Sequence, residues 1–65
     1  MKLGSTIWNL RKAVGKSRRA VAEEAGFSTD SLRRWEKGQQ SPRVDELEKV
    51  AEVLGVPVDV LLASN

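Results

Sequence analysis

The stretch Ser28-Thr29-Asp30-Ser31-Leu32-Arg33-Arg34-Trp35-Glu36-Lys37-Gly38 decides how the rest of the chain is read. It carries the marks of a short helix at both ends. The Ser28 hydroxyl is placed to accept a hydrogen bond from a free amide of the first turn. Asp30 puts negative charge near the positive end of the helix dipole. Gly38 suits the left-handed conformation that ends a helix. Between these ends only Leu32 and Trp35 are large and apolar, and their spacing of three puts them on one narrow face. A helix buried along so thin a stripe leaves Thr29, Asp30, Ser31, Arg33 and Arg34 outside. Such a helix is shaped to be pressed against a partner.

Working outward, Ser17 caps a preceding helix with Val21, Ala22 and Ala25 inward and Gly26 as its terminator. Phe27 then plugs the turn into the core. Two short helices joined by a tight glycine-containing turn have the appearance of a helix-turn-helix. Further upstream, Met1 to Gly4 reads as a short lead and Ser5 as the cap of a first helix ending at Gly15. Its buried face is Ile7, Leu10 and Val14, at spacings of three and four. Trp8 lies off that stripe and reads as a partly covered surface aromatic.

Downstream, Gln39 to Pro42 is a polar loop, and Pro42 suits a helix entry. A fourth helix is expected over 44–54, with Leu47, Val50, Ala51 and Leu54 inward and Gly55 at its end. Pro57 introduces a last short helix over 58–62, in which Val60, Leu61 and Leu62 are all apolar. No strand-like alternation, repeat or linker interrupts the pattern. The expectation is one all-α domain over residues 1–65.

The chain has 65 residues, no cysteine and no histidine. The commonest metal ligand and general base are therefore missing, and no Gly-rich phosphate loop replaces them. These absences argue against an enzyme and imply no metal or cofactor. No apolar run approaches the ~20 residues that span a bilayer, and the N-terminus lacks an apolar signal core. The expected location is the cytoplasm, with no membrane partner and no evident small-molecule ligand. Net charge is only +2, but residues 1–43 carry +6 and residues 44–65 carry −4. A basic half is the electrostatic footprint of a phosphate-binding surface, and double-stranded DNA is the partner it suits.

The order of these pieces resembles the Cro/C1-type helix-turn-helix family, the DNA-binding domain of phage repressors and many bacterial regulators. The resemblance runs from Ile7 to Leu62. It rests on Ile7-x-x-Leu10-Arg11 before Gly15, then Ser17 with Val21-Ala22 and Gly26, and Ser28 with Leu32-x-x-Trp35-Glu36-x-Gly38. Pro42 follows, then Leu47-x-x-Val50-Ala51-x-x-Leu54-Gly55-Val56 with Leu61-Leu62. It implies a compact five-helix, lambda-repressor-like bundle. The expected function is sequence-specific binding of double-stranded DNA by a transcriptional regulator, a repressor working as a dimer on operator half-sites. The recognition helix, about 29–37, would lie in the major groove. Three positions depart from the family pattern: Lys16 where an apolar residue is usual, Arg18 where Gln is usual, and Pro57 where Ser or Thr is common.

The resemblance puts base contacts on Thr29, Asp30, Ser31 and Arg34. Arg34 suits a two-pronged bond to guanine O6 and N7. For Asp30 two readings stand side by side, acceptor of a cytosine amino group or helix-dipole residue alone. Ser17, Arg18, Arg19, Arg33, Lys37, Gln39, Gln40 and Arg43 form the candidate phosphate track, with the amides at the start of the second helix as an anion site. By family position, Arg11 and Glu36 would form an internal ion pair that fixes the angle of the recognition helix. Val56, Pro57, Val58 and Leu61 are the candidate dimer patch, for a weak homodimer stabilised on DNA. For Leu61 a core position is the equal alternative. Two other readings compete: a protein-interaction module such as an antitoxin-like partner, and a designed or truncated folding model of the same fold.

Overall fold

Two serine hydroxyls begin the central helices as their positions predict. In the computed structural model, which describes residues 3–63, Ser17 Oγ accepts from the Ala20 amide at 3.0 Å and Ser28 Oγ from the Ser31 amide at 3.1 Å. These caps open α2, Arg18–Ala25, and α3, Thr29–Glu36. Gly26 ends α2 with φ 86°, a backbone conformation that a side chain would strain. There the Phe27 amide turns back to the Ala22 carbonyl at 2.8 Å. The Phe27 ring meets Trp35 edge-on, with centroids 5.2 Å apart and planes at 76°. This aromatic pair braces the turn between the two helices.

The other helices are α1, Leu3–Ala13, α4, Val44–Leu54, and α5, Val58–Leu62. The start of α4 is held by Glu46, whose Oε1 accepts from the Arg43 amide at 2.7 Å. Among the described residues there is no strand. α1 packs on α3 and α5, α2 on α3 and α4, and α4 on α5. Ile7, Val21, Leu32, Leu47, Val50 and Leu61 fill the centre, with Ala22, Trp35, Ala51 and Leu54 around them. Burial of these side chains supplies most of the driving force in so small a core.

Three expectations need correction. First, α1 begins at Leu3, one turn before the expected cap, and Ser5 is an exposed residue inside it. The reason is Gly4. A Cβ there would lie 2.4 Å from the Glu36 carbonyl oxygen and 2.5 Å from that of Trp35. The bare α-carbon lets the first turn of α1 press onto the end of α3, and this contact extends the helix. The other two residues of the expected lead, Met1 and Lys2, lie outside the described residues.

Second, Val14 is 46% exposed rather than buried. The inward stripe runs Gly4, Ile7, Arg11 instead, because Arg11 turns into the protein to reach Glu36. Third, Leu61 is wholly buried and packs in the core, so its side chain is not available to a dimer partner. A one-turn helix at the end of a small bundle buries only the residue facing it. Val60 and Leu62 face outward.

Candidate nucleic-acid interface

The N-terminal half of α3 presents the residues that the sequence singled out. Thr29 and Asp30 are exposed, and Ser31 and Arg34 are half-buried. Ser31 is not wholly free, since the Ser28 hydroxyl donates to its Oγ at 2.9 Å. Asp30 sits between two arginines of its own helix. Arg33 bonds its Oδ1, and Arg34 approaches its Oδ2 at 2.7 Å. The Arg33 hydrogen bond outweighs the opposing effect of burial and, with the charges of Arg34 and Arg33, holds the Asp30 carboxyl below the usual carboxylate range. Arg34 keeps donor capacity beyond this pair. Its Nε is buried and has no hydrogen-bond partner among the protein atoms, which is costly for so polar a group.

The C-terminal end of α3 is arranged differently. The Glu36 side chain is 1% exposed. Its Oε2 accepts from Arg11 Nε at 2.7 Å, and its Oε1 accepts from Arg11 Nη2 at 3.1 Å. Oε1 also accepts from Arg18 Nε at 2.9 Å. Arg11 completes its hydrogen bonding by donating from Nη1 to the Lys16 carbonyl at 3.0 Å. A charged group this buried must be paired to persist. One carboxylate therefore ties α1, α2 and α3 together where they meet.

Beside α3, an open groove runs between the α1–α2 turn and Thr29. It is lined by Arg11, Lys12, Gly15, Lys16, Ser17, Arg18, Arg19 and Thr29, five cations and no carboxylate. The start of α2 faces into it, so the positive end of the α2 dipole adds to the field. Some of this charge is engaged at its edges, Lys16 with Glu24 at 2.7 Å and Arg19 with Glu23 at 3.2 Å. These pairs are exposed and weak, and they leave the cations available.

The remaining candidates lie after α3. Lys37, Gln39 and Gln40 are exposed in the loop after α3. Arg43 is exposed at the start of α4, 3.7 Å from Asp45 and 3.8 Å from Glu46. Of the residues picked for a dimer, Pro57 is exposed and Val56 and Val58 are half-buried. Sequence reasoning did not place Lys12 and Lys16 in the groove. Only the fold of the α1–α2 turn brings them beside Arg18. Lys12 also lies over the exposed Trp8 ring, 5.6 Å from its centre.

A helix-turn-helix family model matches residues 9–61 of this arrangement. The chain belongs to the Cro/C1-type helix-turn-helix family. It is 34% identical over 61 residues to the cryptic phage CTXphi transcriptional repressor RstR of Vibrio cholerae, covering 94% of this chain and 54% of that protein. The chain thus spans about half the length of the curated relatives it matches. Among solved structures it is similar to SinR of Bacillus subtilis, the master regulator for biofilm formation, seen in complex with DNA. That likeness has a TM-score of 0.88 at 39% identity, over 92% of this chain and 97% of the other. The P22 c2 repressor, solved with a synthetic operator, superposes over 100% of this chain and 98% of its own with a TM-score of 0.91. At 23% identity that likeness speaks for the fold alone. No helix among the described residues is long and apolar enough to cross a membrane.

Proposed function

We propose that this chain is a sequence-specific binder of double-stranded DNA that regulates transcription, as a repressor, by occupying an operator. The observation that carries this is one composite surface. A helix start with exposed Thr29 and Asp30 and half-buried Ser31 and Arg34 lies beside a groove with five cations and the N-terminus of α2. In this reading α3 enters the major groove and Arg34 exchanges Asp30 for a base edge. The cations of the groove and flank hold phosphates, which set register and affinity but carry no sequence information. Residues 1–65 act as one domain in the cytoplasm, without catalysis.

We infer pairing of two copies on DNA through the α4–α5 end, where Val56, Pro57 and Val58 adjoin the outward Val60 and Leu62. The patch is small, so the free chain is expected to be monomeric. Cooperative occupancy of two sites about a helical turn apart is the corresponding signature on DNA.

The test begins with selection of bound sequences from a random duplex pool. Affinities for the selected and a random duplex are then measured across a salt series. Arg34→Ala should weaken the selected site by roughly 1–3 kcal/mol more than the random one. Arg43→Ala should weaken both and flatten the salt slope by about 1. If Arg34→Ala lowers both affinities equally while the fold is intact, Arg34 reads no base and the placement of α3 fails. Binding to DNA without strong salt dependence would favour a protein-interaction module instead.

A further inference from the structure

We propose that Arg18 is a positioning residue that couples the grip on a DNA phosphate to the placement of α3, and so sets discrimination between sequences without touching a base. The inference rests on the reading of α3 as the recognition helix. It starts from an imbalance. Glu36 is one carboxylate receiving two guanidinium groups from two different helices. Arg11 is spent on this arrangement: it is buried, and its three nitrogens donate to Glu36 and the Lys16 carbonyl. Arg18 is not. It bonds Glu36 through Nε alone, its side chain is 32% exposed, and it lines the cationic groove.

A cation as the first residue of α2 sits at the unfavourable end of that helix's dipole. An anion on each side of its guanidinium relieves this. Glu36 is the inner one, and a DNA phosphate oxygen in the groove would be the outer one. The guanidinium plane is rigid and presents separate donor edges. With Nε committed to Glu36, the Nη edge is left to face the groove. The two anions are then held at a fixed separation by a single planar group. A phosphate seated on Arg18 thereby fixes where Glu36, and with it the C-terminal end of α3, lies relative to the duplex. A lysine supplies the same charge but cannot span two anions with this geometry. A glutamine has the donor but not the charge.

The contrast between these replacements is the experiment. Affinities for the selected and random duplexes are measured across a salt series for the wild-type chain, Arg18→Lys and Arg18→Gln, with folding checked by circular dichroism. Arg18→Lys is expected to keep the wild-type salt slope yet lose about fivefold or more of the discrimination ratio, the scale of a typical coupling between sites. Arg18→Gln is expected to lose discrimination too and to flatten the slope by about 1.

Were Arg18 only a phosphate contact, Arg18→Lys would keep both the slope and the ratio, and that result overturns the inference while leaving the proposed function standing. A wild-type chain with no sequence preference overturns both. Should the variants fail to fold, the wild-type chain decides through hydrogen exchange of its arginine side chains. The Arg18 Nε proton should exchange slowly, as that of Arg11 does. Exchange as fast as that of the exposed Arg43 would remove the Glu36 anchor and the inference with it.

Discussion

At one end of α3 Asp30 holds Arg33 and Arg34; at the other Glu36 holds Arg11 and Arg18. The groups are the same, one carboxylate and two guanidinium ions, but the settings are opposite. Asp30 lies in water and draws both partners from its own helix. Glu36 is 1% exposed and draws them from two other helices. In water the pairs are screened and exchange readily with a competing anion or base edge. In the interior, losing a partner strands a charge without solvent. Burial therefore divides the labour along eight residues of helix. The C-terminal end is fixed to the bundle, and the N-terminal end is presented to whatever the protein meets.

The largest effect should come from the buried end. Glu36→Gln leaves Arg11 and Arg18 sharing an interior site with no negative charge. Unfolding in denaturant should show a loss of about 3–5 kcal/mol, the usual consequence of removing one member of a buried pair. The double replacement Arg11→Met with Glu36→Leu should recover part of this, because Arg18 is partly exposed and able to turn to water. Strict additivity in that cycle would show that the pair is not energetically coupled. The comparison between the two ends would then lose its basis.

A smaller loss is expected from Gly4→Ala, which perturbs the same end without touching a charge. Alanine favours helix over glycine by about 1 kcal/mol. Here the added methyl carbon would sit 2.4 Å from the Glu36 carbonyl oxygen. Backbone has little room to yield, so overpacking of roughly 1–3 kcal/mol should win. A lower melting temperature is the readout. A stabilised variant would mean that α1 bears only loosely on α3.

The smallest change in stability belongs to the exposed end. Asp30→Asn should leave the melting temperature almost unaltered while raising affinity for random duplex, since it removes one negative charge from the face and frees both arginines. The pH dependence follows from the same cluster. The Asp30 carboxyl lies below its ordinary value because it is hydrogen-bonded by Arg33 and flanked by Arg34. Its folded value is thus below the unfolded one. Its contribution is fully present above the unfolded value of about 3.9. It disappears as pH falls through the lower, folded value. A carboxyl titration by NMR should place the midpoint below about 3.9. An ordinary midpoint would show that the arginines do not hold it.

Much of this was legible because it is local. Ser17 and Ser28 cap within three residues of themselves. Gly26 and Gly55 end helices through their own backbone. Leu47, Val50, Ala51 and Leu54 declare one face of α4 by their spacing alone. That Leu32 and Trp35 face inward, leaving Thr29, Asp30, Ser31, Arg33 and Arg34 at least partly open, is likewise a property of the α3 sequence. Family position pointed to Arg11 and Glu36, whose pairing needs contact across 25 residues of chain.

Tertiary structure decided the rest, in each case because the partner lies far along the chain. Gly4 reads as part of a short lead until the carbonyls of Trp35 and Glu36 are placed against it. Val14 fits the apolar stripe of α1, but Glu36 draws Arg11 inward and turns Val14 to solvent. Leu61 differs from Val60 and Leu62 only in its direction, which the docking of α5 on α1 and α4 sets. The sequence marks Arg18 as a phosphate contact where Gln is usual in the family, but it does not show an inner partner for it. Its bond to Glu36 spans 18 residues and exists only because α2 and α3 cross where they do. Sequence by itself determined which segments are helical and where α3 is bare. The packing of α1 and α2 on α3 determined which of its charges are fixed and which are free to exchange, because that depends on the water left around each one.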